Sequence, residues 1–223
     1  MRFPEGIEPS FDQEAGAWIP PRLLPRTGPL RVGHFVPTGF EAYVEIGHGP
    51  FTPDDDQGPL DGEMPRWQRQ ALLPLLIRHT STPGRCWFGQ WEGFGEWSAG
   101  GGVLVAIPRG LRARLAVRRF RREELRRQEQ ELDALAGMAR TTTHFTHLLL
   151  EGPLEALPAM EDSGIRPSTV TWPEDRAWFL SSDIDPPWSH LGGSRALIDE
   201  VLTTRELQPT EVRPEDPFVR VSP

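Results

Sequence analysis

The chain has 223 residues, of which 37% are hydrophobic and 25% charged, and its formal net charge is −8. This length suffices to bury a substantial core in one large domain, and the composition excludes a disordered or membrane-embedded chain. The only cysteine, Cys86, cannot form an intrachain disulfide. Met1–Asp12 lacks the basic start and apolar run of a signal peptide. We therefore expect a soluble cytoplasmic protein.

The charge is unevenly distributed along the chain. All 24 basic residues are arginines, and Arg109–Arg127 contains nine of them with two glutamates. This segment carries a local charge of +7, which leaves −15 for the rest of the chain. Such segregation indicates an interaction surface or an internal electrostatic match. The acidic total disfavours general nucleic-acid binding.

Residues 1–60 are rich in proline, with ten in all. Because proline fixes φ and has no backbone N–H, we expect no long helix there. We predict a proline-rich extended N-terminal arm that lies on the main body and belongs to the same domain, with one or two short strands within Arg31–Ile46. Residues 61–223 are predicted to form the core.

The first half of the core combines one helix with strands. Arg66–Thr80 has apolar residues at helical spacing, and Pro74 should kink or restart this helix. Arg85–Trp91 and Val103–Ile107 have the composition of strands.

An arginine-rich hairpin and helix are predicted as an insertion at about residues 109–143. Apolar residues alternate with arginines over Leu111–Arg118, which favours a half-buried strand with outward arginines. Glu123–Met138 has a narrow apolar seam and is predicted to be a helix. The residues predicted to bind a partner are Arg112, Arg114 and Arg118.

The C-terminal segment adds further strands and a helix. The predicted strands are Phe145–Leu150, Ala177–Ile184 and a short one around Thr210–Arg213. Pro186–Leu191 is interpreted as a loop, and Ser194 as the cap of a helix over Arg195–Thr203. Helices and strands follow no strict βαβ rhythm. We predict an α+β fold with a mostly antiparallel sheet and three or four packed helices.

Two features of this segment are candidates for a ligand site. Asp183 and Asp185 can share one face at a strand end, where paired carboxylates perform acid–base chemistry or are simply solvated. The sequence around Ser194 resembles a nucleophile elbow, but an elbow needs a strand directly before the serine. Helix capping is favoured, with an anion site at the helix start as the alternative. The predicted ligand-binding residues are Trp178, Asp183, Asp185, Trp188, Gly192, Gly193 and Ser194.

Other reactive residues have structural interpretations. His144 and His147 lie three apart on a predicted strand, so they should point to opposite faces and share no metal. Cys86 lies among aromatic residues, which indicates a buried inert thiol. The tryptophans are expected to fill the core, with a ligand cleft as the alternative. We expect no metal, no other cofactor and no catalytic residue.

Several distinct short motifs are spread along the chain. They are Arg85-Cys86-Trp87-Phe88, Trp91-Glu92-Gly93, Leu148-Leu149-Leu150, Gly152-Pro153-Leu154, Trp172-Pro173, Asp175-Arg176-Ala177-Trp178, Asp183-Ile184-Asp185, Gly192-Gly193-Ser194 and Leu197-Ile198. Together they resemble an uncharacterised family of actinobacterial hypothetical proteins, over roughly residues 60–107 and 145–216. The resemblance implies a soluble bacterial protein and brings no known activity.

These patterns favour a non-catalytic module that binds a protein or a small ligand, regulatory or immunity-like in role. Its expected surface is the arginine-rich hairpin with the helix that follows. The alternative is an enzyme or a protein that binds a small anionic ligand, with a pocket near Asp183, Asp185 and the Gly192–Ser194 helix start. A second alternative, nucleic-acid binding through Arg109–Arg127, is disfavoured by the net charge, and no membrane association is expected.

Overall fold

The computed structural model describes residues 3–49, 63–93, 137–163, 165–182 and 186–218. The predicted strands Val103–Ile107 and Leu111–Arg118 lie outside the described residues. So does the predicted helix Glu123–Met138, except for its last two residues, which lie in a turn and a bend.

The described residues contain nine strands that form one sheet. The strands are β1 (Glu8–Pro9), β2 (Ala42–Gly47), β3 (Cys86–Trp91), β4 (Arg140–Thr142), β5 (Thr146–Gly152), β6 (Val170–Pro173), β7 (Trp178–Ser182), β8 (Trp188–Gly193) and β9 (Pro209–Val212). Their order is β1-β5-β3-β6-β7-β8-β2-β9, and β4 also pairs with β5. Every pairing is antiparallel. The predicted α+β class with a mostly antiparallel sheet is confirmed.

Three α-helices occur in the described part of the chain. They are α1 (Arg66–Arg78), α2 (Leu157–Asp162) and α3 (Arg195–Thr203). Only α1 and α3 exceed two turns, so the sheet dominates the fold. No helix of the described residues combines the length and apolarity needed to cross a membrane.

Helix α1 begins where the sequence predicts and continues through Pro74. The proline leaves the carbonyl of Gln70 without its usual helical donor. Both residues are exposed, so water can bond that carbonyl at little cost. This explains why Pro74 does not divide the helix into two elements.

Both faces of the sheet are buried. Helices α1 and α3 cover one face, and residues 10–40, a part of the predicted arm of residues 1–60, cover the other. Ala42–Gly47, also within residues 1–60, forms a strand of the sheet itself. The helical face is formed by Val44, Phe88, Leu150, Trp178 and Leu191, among others. On the opposite face, the arm packs Ala15, Trp18, Ile19, Val32 and Val36 against Tyr43, Trp87, Leu149, Trp172 and Phe179. Strands buried on both sides read as continuous apolar runs, as Leu148–Leu150 does.

Strand β8 lies where the sequence predicted a loop over Pro186–Leu191. It pairs with β2 along one edge and with β7 along the other, so it is an interior strand. Glycine and serine have weak strand propensity, and local composition therefore favoured a loop. Gly192 packs closely, since a Cβ there would lie 2.6 Å from Phe40 Cδ2 and 2.9 Å from Tyr43 Cε1.

Gly192→Ala should destabilise the fold by about 1–3 kcal/mol, because the added methyl group must displace the rings of Phe40 and Tyr43. Urea denaturation of both proteins measures the change. Gly84→Ala is the matched control, since a Cβ there has no atom within 4 Å. Equal stability of the two variants would contradict the close packing of β8.

Candidate functional site

Ser194 connects the end of β8 to the start of α3. Its backbone is extended, with φ −64° and ψ 153°, and its Oγ accepts a hydrogen bond from the Leu197 backbone N–H at 3.2 Å. The predicted helix cap is confirmed. A strand does directly precede this serine, contrary to the sequence interpretation. The elbow nevertheless fails, because an elbow serine sits in a strained turn with a free hydroxyl.

The start of α3 already holds a carboxylate from the chain itself. The Arg195 backbone N–H donates to Glu41 Oε2 at 2.7 Å. A negative group at this position satisfies an otherwise unpaired amide and the helix dipole. The Arg195 guanidinium, in turn, pairs with Glu211 Oε1 at 2.7 Å and Asp199 Oδ1 at 3.4 Å. Glu41 therefore occupies one amide of the helix start, where an anion site is the alternative to capping.

The predicted ligand-binding residues fall at both ends of β8. Trp178 is fully buried and pairs with Gly193, and its Nε1–H donates to the Leu76 carbonyl at 3.0 Å. Trp188 pairs with Gly47 at the other end of the strand. The structure thus brings Trp178 together with the two glycines and Ser194, but not with Trp188.

Asp183 and Asp185 lie outside the described residues. Ser182, which precedes them, pairs with Ser189 near the start of β8. Ser194 follows the opposite end of the same strand. Ser182, the described residue before the two aspartates, therefore lies near the opposite end of β8 from the start of α3.

A polar chain that sequence reasoning missed runs along the helical side of this strand end. His48 Nε2 lies 2.8 Å from Ser189 Oγ, which lies 2.7 Å from Ser182 Oγ. Burial, reinforced by Arg69 and His190, lowers the pKa of His48 to about 4. A neutral histidine beside a serine resembles a catalytic pair. Ser189 is fully buried, however, so a substrate cannot reach its hydroxyl.

Gln68 holds this strand end against α1. Its Oε1 accepts from the Gly49 backbone N–H at 3.1 Å, and its Nε2 donates to the carbonyls of Gly47 and Glu206 at 2.8 and 2.9 Å. The sequence contained a signal for this role. Gln68 interrupts the apolar stripe of α1 one turn before Leu72, where a buried amide needs partners.

A second missed pair lies on the arm side of the same strand end. Glu45 and His190 are direct neighbours on β2 and β8, with 3.5 Å between Oε2 and Nε2. The ring of Phe218 covers His190, whose residue is 2% exposed. The signal in the sequence is a glutamate between Val44 and Ile46 in an otherwise apolar strand.

His147 is enclosed by two threonines. The Thr169 hydroxyl donates to the Gly89 carbonyl, so its oxygen accepts from His147 Nδ1–H at 2.8 Å. His147 Nε2 then accepts from Thr143 Oγ–H at 2.9 Å. Burial lowers the pKa of His147 to about 3, which keeps the ring neutral. Both ring nitrogens are therefore occupied by protein partners.

The remaining reactive groups show similar enclosure. Cys86 is buried, and burial with a contribution from Asp175 raises its thiol pKa to about 12. The thiol is therefore protonated and unreactive at neutral pH. Within the described ranges, no three metal-ligating side chains are placed to hold a metal ion.

Comparisons with protein-family models, with curated proteins and with solved structures find no match for this chain. In the described part of the chain, Ser194, Ser189, His147 and Cys86 each have structural partners or are closed to solvent. The contacts of these four residues stabilise the fold.

Ser194→Ala should destabilise the protein by about 1 kcal/mol, because the Leu197 amide loses its cap. Thermal or urea unfolding measures the loss. Ser194→Asn is the control, since asparagine caps equally well without adding a charge beside Glu41, and it should restore stability. An asparagine variant as unstable as the alanine variant would contradict the capping role.

The free energy of unfolding should fall as pH falls below about 6.5, by up to about 1.4 kcal/mol per pH unit for each buried neutral histidine. The folded pKa values of His48 and His147 lie below the unfolded value, so the unfolded chain binds protons first. His147→Gln should reduce this slope between pH 6.5 and 5.5. Leu202→Ala serves as a control that lowers stability without removing a titratable group. Equal slopes in wild type and His147→Gln would refute the assignment.

Proposed function

We propose that the protein is a non-catalytic binding module for a protein partner or a small ligand, with a regulatory or immunity-like role. The observation that carries the non-catalytic part of the proposal is the Glu41 carboxylate on the Arg195 amide, because it occupies the helix start that the alternative enzyme or anion pocket would use. The enclosure of Ser189 and Cys86 gives further support. The proposed binding therefore uses residues other than Arg195, Ser189 and Cys86.

The arginine-rich segment is the proposed partner surface. A contact between two described residues, one before and one after this segment in the sequence, supports that role. Arg140 Nε and Nη2 both donate to Glu92 Oε1 at 3.2 Å, which ties the two flanks of the segment together. The Glu92 backbone N–H also donates to the Thr146 carbonyl at 3.0 Å. Because these contacts hold the residues on either side of the segment, less conformational entropy is lost when a partner binds.

The alternatives have less support. An enzyme or anion-binding pocket near Asp183 and Asp185 would have to use Gly192–Ser194 across the length of β8. Nucleic-acid binding through Arg109–Arg127 would oppose the overall charge. The resemblance to actinobacterial proteins and a cytoplasmic location are part of this proposal.

Neutralising the predicted partner surface should weaken binding. The variant carries Arg112→Gln, Arg114→Gln and Arg118→Gln. A partner retained from cell extract by the wild-type chain would be purified and titrated against each protein. We expect the dissociation constant to rise at least about tenfold, since charge-assisted contacts contribute about 1.5–3 kcal/mol each.

The matched control is a second triple variant with the same change in net charge. It carries Arg78→Gln, Arg205→Gln and Arg213→Gln, all at exposed positions. An equal loss of affinity in both triple variants would show general electrostatics rather than a specific surface. Unchanged affinity in the first triple variant would contradict the proposed surface.

A further inference from the structure

Two exposed arginines converge on one buried tryptophan at the arm face. The guanidinium carbons of Arg22 and Arg176 lie 5.5 and 5.4 Å from the ring centroid of Trp18. The two guanidinium carbons can therefore be no farther apart than the sum of these two distances. Trp18 is 8% exposed, and it contacts the rings of Trp172 and Phe179 edge-on. The two cations thus share a rigid aromatic base.

The donors of both arginines are unused within the described structure. A guanidinium held over an indole by cation–π attraction still has N–H groups that can donate to an anion. Neither Arg22 nor Arg176 has a carboxylate within 4 Å or a side-chain hydrogen bond among the described residues. The Trp18 indole N–H is also without a partner there.

Arg85 provides an internal contrast. Its guanidinium carbon lies over the Trp87 ring at 5.3 Å from the centroid, but its Nη1 also pairs with Glu174 Oε1 at 2.6 Å. Of the three arginines that lie over a tryptophan ring among the described residues, one is therefore paired with a carboxylate and two are not. In a protein with a net charge of −8, two such cations at one ring form a local positive site.

The backbone beneath each arginine is fixed. The Arg22 carbonyl accepts from both the N–H and the hydroxyl of Thr38, each at 2.7 Å. Arg176 lies in a turn held by the Asp175 carboxylate, which accepts from Thr80, Ser81 and Ala177. Fixed bases leave only the side chains to be ordered when a ligand binds.

Arg176 has φ +56°, a left-handed conformation. This conformation costs a non-glycine residue stability, whereas glycine adopts it freely. A residue whose only task was to form this turn would be better as glycine. The arginine is therefore explained by its side chain, which lies over Trp18.

We propose that Arg22 and Arg176, stacked on Trp18, bind the phosphate or diphosphate group of a small ligand. A phosphate monoester carries close to two negative charges at neutral pH, which matches two guanidinium groups better than a single carboxylate does. The planar N–H fork of arginine also fits phosphate oxygens in bidentate geometry. The site uses none of the arginines of the proposed partner surface, so it goes beyond the proposed function and does not depend on it.

Calorimetric titration of the full chain with inorganic pyrophosphate, at constant ionic strength, tests this site. Arg22→Gln and Arg176→Gly should each weaken binding by about tenfold or more, since each removes charge-assisted hydrogen bonds. Arg205→Gln, which removes an exposed arginine elsewhere, is the control and should bind as wild type does. Urea denaturation of Arg176→Gly should show no loss of stability, because relief of the left-handed backbone offsets the lost stacking.

Three results would overturn the proposal. The first is absence of binding by the wild-type chain, and the second is equal weakening in Arg205→Gln and the site variants. The third is binding of an oligoglutamate peptide but not of pyrophosphate, which would assign the site to acidic peptides. Nucleoside diphosphates distinguish the source of the phosphate: tighter binding than pyrophosphate indicates a nucleotide, and equal binding indicates that the phosphate alone is recognised.

Discussion

The structure depends on one constraint, which is that both faces of its antiparallel sheet must be covered. Such sheets commonly leave one face to water, but these strands are apolar on both sides. Helices α1 and α3 bury one face, and the arm of residues 10–40 buries the other. Proline suits the arm, because it removes backbone donors that would otherwise need partners over an apolar surface.

Burial on both faces explains the state of the polar groups inside the molecule. His48 and His147 have depressed pKa values because burial penalises the charged ring, and each is held by hydroxyl groups. Gln68 is buried with all its hydrogen bonds made to backbone groups. These residues resemble catalytic groups by type, but their environment makes them structural.

We therefore propose that arginine side chains carry recognition. Those at Arg112, Arg114 and Arg118 are proposed for a partner, and Arg22 with Arg176 for a phosphate group. Arginine serves both tasks because its charge persists at neutral pH and its planar fork can stack and donate at once.

Local sequence patterns determined α1, α3 with its Ser194 cap, and most of β3, β5 and β7. These features depend on neighbours a few residues away, where spacing and capping act directly. Only the tertiary structure decided the pairing of β8, the filling of the α3 start by Glu41 and the contact between His48 and Ser189. Glu41 and Arg195 are 154 positions apart, and His48 and Ser189 are 141 apart. Contacts at such separations arise from strand order and register, which no local pattern encodes.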